Sequence, residues 1–159
     1  MSILVLGLGN MLMNDDALGV KIVQVLQSDY RFPPQVKVID GGTLGLDLLP
    51  MLEGIDRLLI IDALEIGACP GTILRVTGDE VPRVFASKLS IHQMGVQDLL
   101  TVAELQGYLP RELVVWGVQP GSIEMEMALT PEVSKALPQV IAAVIDELTS
   151  WGAPPELAA

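Results

Sequence analysis

Short unbroken apolar runs alternate along this chain with segments whose apolar positions recur every three or four residues. Residues 3–7 (ILVLG) and 58–62 (LLIID) read as strands covered on both faces, because continuous Leu, Ile and Val runs of this length belong to buried parallel sheets. Further runs at 36–40 (VKVID), 72–77 (TILRVT) and 113–118 (LVVWGV) complete a set of five predicted strands. Between them, Leu18, Ile22, Val25 and Leu26 form one stripe of a helix over about 15–29, and helical spacing recurs over about 43–53, 91–106 and 131–151. Pro50 is expected to kink or divide the second of these helices. Thr130 as N-cap and Pro131 at the first helical position open the last one. The link over 63–71 is too short for a crossover helix, so the strand at 72–77 is predicted antiparallel to the one at 58–62. The alternation predicts one α/β domain over 1–151, a three-layer α/β/α sandwich around a mostly parallel five-stranded sheet with one antiparallel strand. The ending GAPPELAA, 152–159, reads as a flexible tail.

Composition narrows the partners. Half of the 159 residues are hydrophobic, enough for a sizeable single core. Nine basic against twenty acidic residues give a net charge of −11, which argues against nucleic acid and anionic membranes, both polyanions. A cation, a metal ion or a basic peptide remains compatible. No apolar run approaches the roughly 18 residues that span a bilayer. The start MSILVLGLGN has no basic segment ahead of its apolar run and so does not read as a signal peptide. The expectation is a soluble cytoplasmic protein, and a monomer, since nothing in the pattern demands an oligomer. The single cysteine, Cys69, excludes an internal disulfide and a four-cysteine metal site.

Candidate chemistry gathers where the predicted strands end, the edge at which open α/β sheets bind ligands. The first strand runs into GLGNMLMNDD, residues 7–16, which begins like a phosphate-cradling glycine turn and ends in Asp15 and Asp16. A dinucleotide fingerprint needs a third glycine where Leu12 stands, and two carboxylates would face the pyrophosphate. Asp40 lies about where a ribose-binding acid would, so a nucleotide-binding module stays a weak alternative. Either aspartate could simply cap a helix, which needs only one of them. Asp62 closes another strand. His92, the only histidine, sits in SIHQ, a capping box with Ser90 as N-cap and Gln93 three residues on. The positive helix pole there favours neutral imidazole, the form a metal ligand must take, and an Asp, Asp, His set suits a divalent first-row metal. A Cys69–His92 nucleophilic pair competes, but nothing near Cys69 in the sequence lowers its pKa. No G-x-S-x-G elbow is present.

With Asp16, Asp62 and His92 seen as a set, the chain resembles the nickel-iron hydrogenase maturation endopeptidases, which process the C-terminus of the hydrogenase large subunit. The resemblance is carried by ILVLGLGNMLMNDDALGV, VIDGGTLGLDLL, IIDAL, PGTILRV, KLSIHQMGVQDLL, VVWGVQP and ALTPEV, in that order over nearly the whole length. It implies a phosphorylase/hydrolase-like fold and a cytoplasmic, metal-dependent or aspartic-type endopeptidase that removes the C-terminal extension of the large-subunit precursor after nickel insertion. Carried over by position, Asp16, Asp62 and His92 are the implied metal ligands and catalytic residues, and Asp40, Gly41, Gly42 and Thr43 the implied substrate-recognition segment. The nickel is expected to arrive with the precursor, with another divalent metal as an alternative at the same site. Asp15 or Asp16 is a candidate general base. The family's first acidic position varies between Glu and Asp, so Asp16 has the shorter reach, and Ala17 stands where a glycine is common. A noncatalytic factor that binds nickel and precursor is the alternative reading.

Overall fold

The computed structural model describes residues 1–86 and 91–158, with residues 86 and 91–94 described through their backbone alone. Its centre is a five-stranded sheet built from β1 (Ile3–Leu8), β3 (Val36–Gly42), β4 (Arg57–Ala63), β5 (Ile73–Thr77) and β6 (Glu112–Val118), in the order β3-β1-β4-β6-β5. Four strands are parallel, and β5 runs antiparallel to β6. The reversed strand is the one expected, but β6 stands between it and β4, so the short 63–71 link passes over an intervening strand rather than closing a hairpin.

Alternation along the strands builds two cores. Ile3, Val5, Leu59, Ile61, Val114 and Val118 face α1 (Leu18–Asp29) and α5 (Pro131–Ser150). Leu4, Leu6, Leu58, Ile60, Leu113 and Val115 face α2 (Leu49–Leu52), α3 (Glu80–Ala86) and α4 (Ile91–Gln106). Burial on both faces explains why β1 and β4 read as continuous apolar runs. The three layers expected from the sequence are present.

Three local departures have physical causes. Residues 14–17 form a 3-10 turn, Asn14–Ala17, so the first α-helix begins at Leu18, three residues later than expected. The second helical segment is divided into a 3-10 turn, Gly45–Leu48, and the short α2, with Pro50 at its start, where its missing N–H costs nothing. Residues 152–158, expected to fray, fold back: β7 (Glu156–Leu157) pairs antiparallel with β2 (Tyr30–Arg31), Ala158 N–H donates to the Asp29 carbonyl at 2.8 Å, and Ala153 is fully buried. The α3 turn and both two-residue strands were not foreseen, being too short to show a period.

Two glycines let α1 lie close on the sheet. A Cβ on Gly7 would overlap the Gly19 carbonyl and Val23, and one on Gly19 would overlap the carbonyls of Ile61 and Leu8. This contact fixes the start of α1, and the 3-10 turn before it, against the carboxyl ends of β1 and β4. No described helix is long and apolar enough to cross a membrane.

Candidate active site

From β1 the chain crosses to β3 on one side and then returns to β4 on the other, so the sheet's topological switch point lies between the carboxyl ends of β1 and β4. Such a point opens a crevice in which α/β proteins bind ligands. Five polar side chains are buried among the described residues: Asn14, Asp15, Asp16, Asp62 and Gln119. All five stand at the carboxyl ends of β1, β4 and β6, on this one edge. Burying charge is costly unless it is satisfied or serves a function, so this edge is the candidate site.

Three of the five hold loops. The Asp15 carboxylate accepts from Thr130 N–H and Thr130 Oγ1, both at 2.7 Å, from Gly121 N–H at 2.7 Å and from Ser122 N–H at 3.1 Å. It therefore serves the N-terminus of α5 and the loop before it, rather than capping its own helix. Thr130 is the N-cap of α5 by backbone position, as expected, but its hydroxyl serves Asp15 and makes no cap bond. Asn14, in the left-handed region at φ 47°, donates through Nδ2 to Glu126 Oε2 at 3.1 Å and to the Ala128 carbonyl at 2.8 Å. Gln119 pins the other flank. Its Oε1 accepts from Ile66 N–H at 2.8 Å and its Nε2 donates to Glu65 Oε2 at 2.9 Å, securing the loop that follows Asp62.

The remaining two are the carboxylates singled out from the sequence. Asp16 is 8 % exposed and Asp62 is fully buried. Asp62 is the penultimate residue of β4, opposite Gly117 of β6, and Asp16 lies in the 3-10 turn that follows the adjacent parallel strand β1. Asp16 Oδ2 accepts Asn10 N–H at 3.0 Å. That bond bears against the nucleotide reading. In the glycine turn, Gly9 N–H donates to the Gly42 carbonyl, Asn10 N–H to Asp16, Leu12 N–H to Asn10 Oδ1 and Met13 N–H to the Asn10 carbonyl. Four N–H groups of the turn, at Gly9, Asn10, Leu12 and Met13, are thus bonded inside the protein rather than open to a phosphate, and Asn10 ties the turn with its side chain as expected. Ala17 adopts φ −77° and ψ −4°, open to any residue, so the absent glycine costs nothing there.

Asp40, Gly41, Gly42 and Thr43 lie at the carboxyl end of β3. Asp40 is exposed and accepts Gly42 N–H at 2.9 Å, shaping the turn, while Gly41 is packed under Leu6 and Leu8. His92 is the second residue of α4, and its side chain lies outside the described residues, as does the expected N-cap Ser90. The backbone nevertheless places the start of α4: Gly95 packs against Gly45, with a Cβ on either lying 3.1 Å from the other's Cα. This seats the first turns of α4 against the Gly45–Leu48 turn that follows the 40–43 segment. Among the described residues no three His, Cys, Asp or Glu side chains group to hold a metal. Cys69 is exposed, in the loop after β4.

A doubly wound sheet with two buried carboxylates at its switch point matches a known class. A model of the hydrogenase maturation protease family matches residues 20–147, and the chain belongs to that family. It is 42 % identical over 149 residues to the hydrogenase 2 maturation protease of Escherichia coli, covering 91 % of each chain. It is 40 % identical to the hydrogenase expression/formation protein HupD of Rhodobacter capsulatus, covering 94 % of this chain and 72 % of that one. Among solved structures, the hydrogenase maturating endopeptidase HybD of E. coli superposes with a TM-score of 0.95 at 38 % identity, over 99 % of this chain and 98 % of that one. The maturation protease HybD of Thermococcus kodakarensis superposes at 0.75 and 31 % identity, over 93 % and 99 %.

Proposed function

We propose that this chain is the endopeptidase that removes the C-terminal extension of a nickel-iron hydrogenase large-subunit precursor, and that it recognises the precursor through the nickel already inserted there. The observation that carries the proposal is the burial of both Asp16 and Asp62 on the switch-point edge of the sheet, in a chain from this family. Carboxylates with an imidazole form a donor set suited to a divalent first-row metal. Asp16, Asp62 and His92 would complete the coordination of a nickel that the precursor brings.

The residues around the pair support precise holding. Asn10 N–H orients Asp16, and Gly19 lets α1 press the Asp16 turn onto the sheet. Rigid placement on strand ends favours catalysis because reacting groups are held without reorganisation. Asp16, Asp62 and His92 would hold the nickel where it would supply Lewis acidity toward the scissile carbonyl. Asp16 is the general-base candidate, since Asp15 is committed to four donors. Recognition through nickel makes binding energy available only for loaded precursor, so cleavage waits for insertion.

The test is cleavage of nickel-loaded against nickel-free precursor, read by mass spectrometry of the new C-terminus. Loaded precursor alone should be cut, and equal cutting of both forms would remove nickel from recognition. His92→Ala should abolish processing while leaving the melting temperature near that of the parent. Full activity in that variant would exclude His92 from the site.

A further inference from the structure

Ten large hydrophobic side chains stand exposed among the described residues, and six of them ring the edge that carries Asp16 and Asp62. Leu12 follows β1, Leu44 and Leu46 follow β3, and Ile123, Met125 and Met127 follow β6. These strands are parallel, so their following loops share one edge. We infer that this apolar rim is the docking surface for the stretch of precursor polypeptide flanking the scissile bond, and that this stretch is apolar with at least one basic residue. The inference rests on the endopeptidase reading, because a polypeptide must cross the rim to bring a peptide bond to the two carboxylates.

Two observations separate the rim from incidental exposure. First, its β6 loop is held from within. Asn14 N–H donates to the Glu126 carbonyl, Asn14 Nδ2 and Lys21 Nζ donate to the carbonyls of Ala128 and Met127, each at 2.8 Å, and Asp15 binds both ends of the loop. The backbone is anchored, yet Met125 and Met127 remain 84 % and 65 % exposed. Apolar side chains gathered in water on one edge, over an anchored backbone, mark an interaction surface, and methionine adapts to varied partner shapes. Second, the rim is acidic as well as apolar. Asp40, Asp47, Glu124 and Glu126 are exposed along it, and the Lys21 ammonium is already engaged at Met127. An apolar segment with a basic residue is complementary to that surface. A second copy of this chain, with net charge −11, would set acidic rim against acidic rim.

The experiment uses the intact protein and full-length nickel-loaded precursor, measuring equilibrium binding, KM and kcat, with sedimentation velocity on the protein alone. The double variant Met125→Glu/Met127→Glu should raise Kd and KM by about tenfold or more, as expected for losing the burial of even one such side chain. kcat at saturation should stay within about twofold, because no reacting group is touched. Met125→Leu/Met127→Leu should bind like the parent, and Leu105→Glu, 81 % exposed at the other end of α4, should change nothing. Replacing the basic residues near the cleavage point of the precursor by Glu should weaken binding, and unchanged affinity would remove the charge component. Parental binding by the double Glu variant would overturn the inference, as would a parental dimer that this variant dissolves, since the rim would then belong to a second copy. If the parent binds the precursor without cutting it, the endopeptidase reading fails while loss of binding in the variant still assigns the rim. If the parent does not bind at all, both readings fall.

Discussion

Replacement of Asp15 tests whether the adjacent aspartates have separate tasks. Asp15 is fully buried and accepts four hydrogen bonds from residues 121, 122 and 130 at 2.7–3.1 Å. A hydrogen bond to a charged group contributes about 1.5–3 kcal/mol, so four would set a ceiling near 6–12 kcal/mol. The ceiling is not reached, because the loop can peel away and hydrate its freed N–H groups. Breaking a buried charged network by removing one partner costs about 3–5 kcal/mol, and Asp15→Ala should fall in that range. Asp15→Asn keeps the shape, but its amide must face an N–H whichever way it is turned. It should cost less, about 2–3 kcal/mol. At about 2–4 °C per kcal/mol for a chain of this size, the Ala variant should melt about 6–20 °C lower. Urea unfolding followed by the fluorescence of Trp116 and Trp151 gives the free energies directly. An Ala variant within about 1 kcal/mol of the parent would show that the four bonds do not hold the loop, and would refute the assignment of Asp15 as a structural anchor.

Four further outcomes follow from the same geometry. Asp16→Asn and Asp62→Asn should each slow single-turnover cleavage of loaded precursor by more than about 100-fold, because even residues one shell from a metal cost 10–100-fold, and near-parental turnover in either would remove it from the site. Gly19→Ala should cost about 1–3 kcal/mol or more by lifting α1 from the Ile61 and Leu8 carbonyls, and should lower activity as well, measured by denaturation and cleavage in parallel. Deleting 152–159 should lower stability by about 1–3 kcal/mol through loss of the β2–β7 pairing while leaving kcat unchanged. The hydrogen bond to Glu147 holds Arg75 above its ordinary pKa against the opposing effect of burial; because the Arg75 side chain is 45 % exposed and so screened by solvent, Arg75→Met should cost less than about 1 kcal/mol in the same unfolding assay.

The sheet could be read from the sequence because each of its strands is an apolar run of the right length, and β1 and β4 are buried throughout. Periodicity likewise exposed α1, α4 and α5, whose apolar stripes face the sheet. The missed elements are those that tertiary contacts decide. α3 has seven residues, too few for a clear period, and β7 exists only because it meets β2. The 152–158 segment looked like a tail since its Pro and Gly say nothing about Ala153 being buried against the end of α5. The placement of Asp16 and Asp62 on one sheet edge was recoverable because strand ends and a topological switch point follow from element order alone. The work of Asp15, Asn14 and Gln119 was not, because their partners lie about 50 to 115 residues away in sequence.

The division of labour between Asp15 and Asp16 explains why two carboxylates can sit buried in succession. In the 3-10 turn their side chains diverge, one toward the N-terminus of α5 and the loop before it, the other toward the β1 turn at Asn10. Asp15 gains four donors and a helix pole, which together offset its desolvation and fix the loop that bears Met125 and Met127. Asp16 in turn accepts Asn10 N–H and ties the β1 turn to the 3-10 turn. A single aspartate at this turn would have to choose between anchoring the rim and facing the crevice. The pair does both, so a change at Asp15 should reach the chemistry only through the position of the rim and of Asp16, whereas a change at Asp16 should reach it directly.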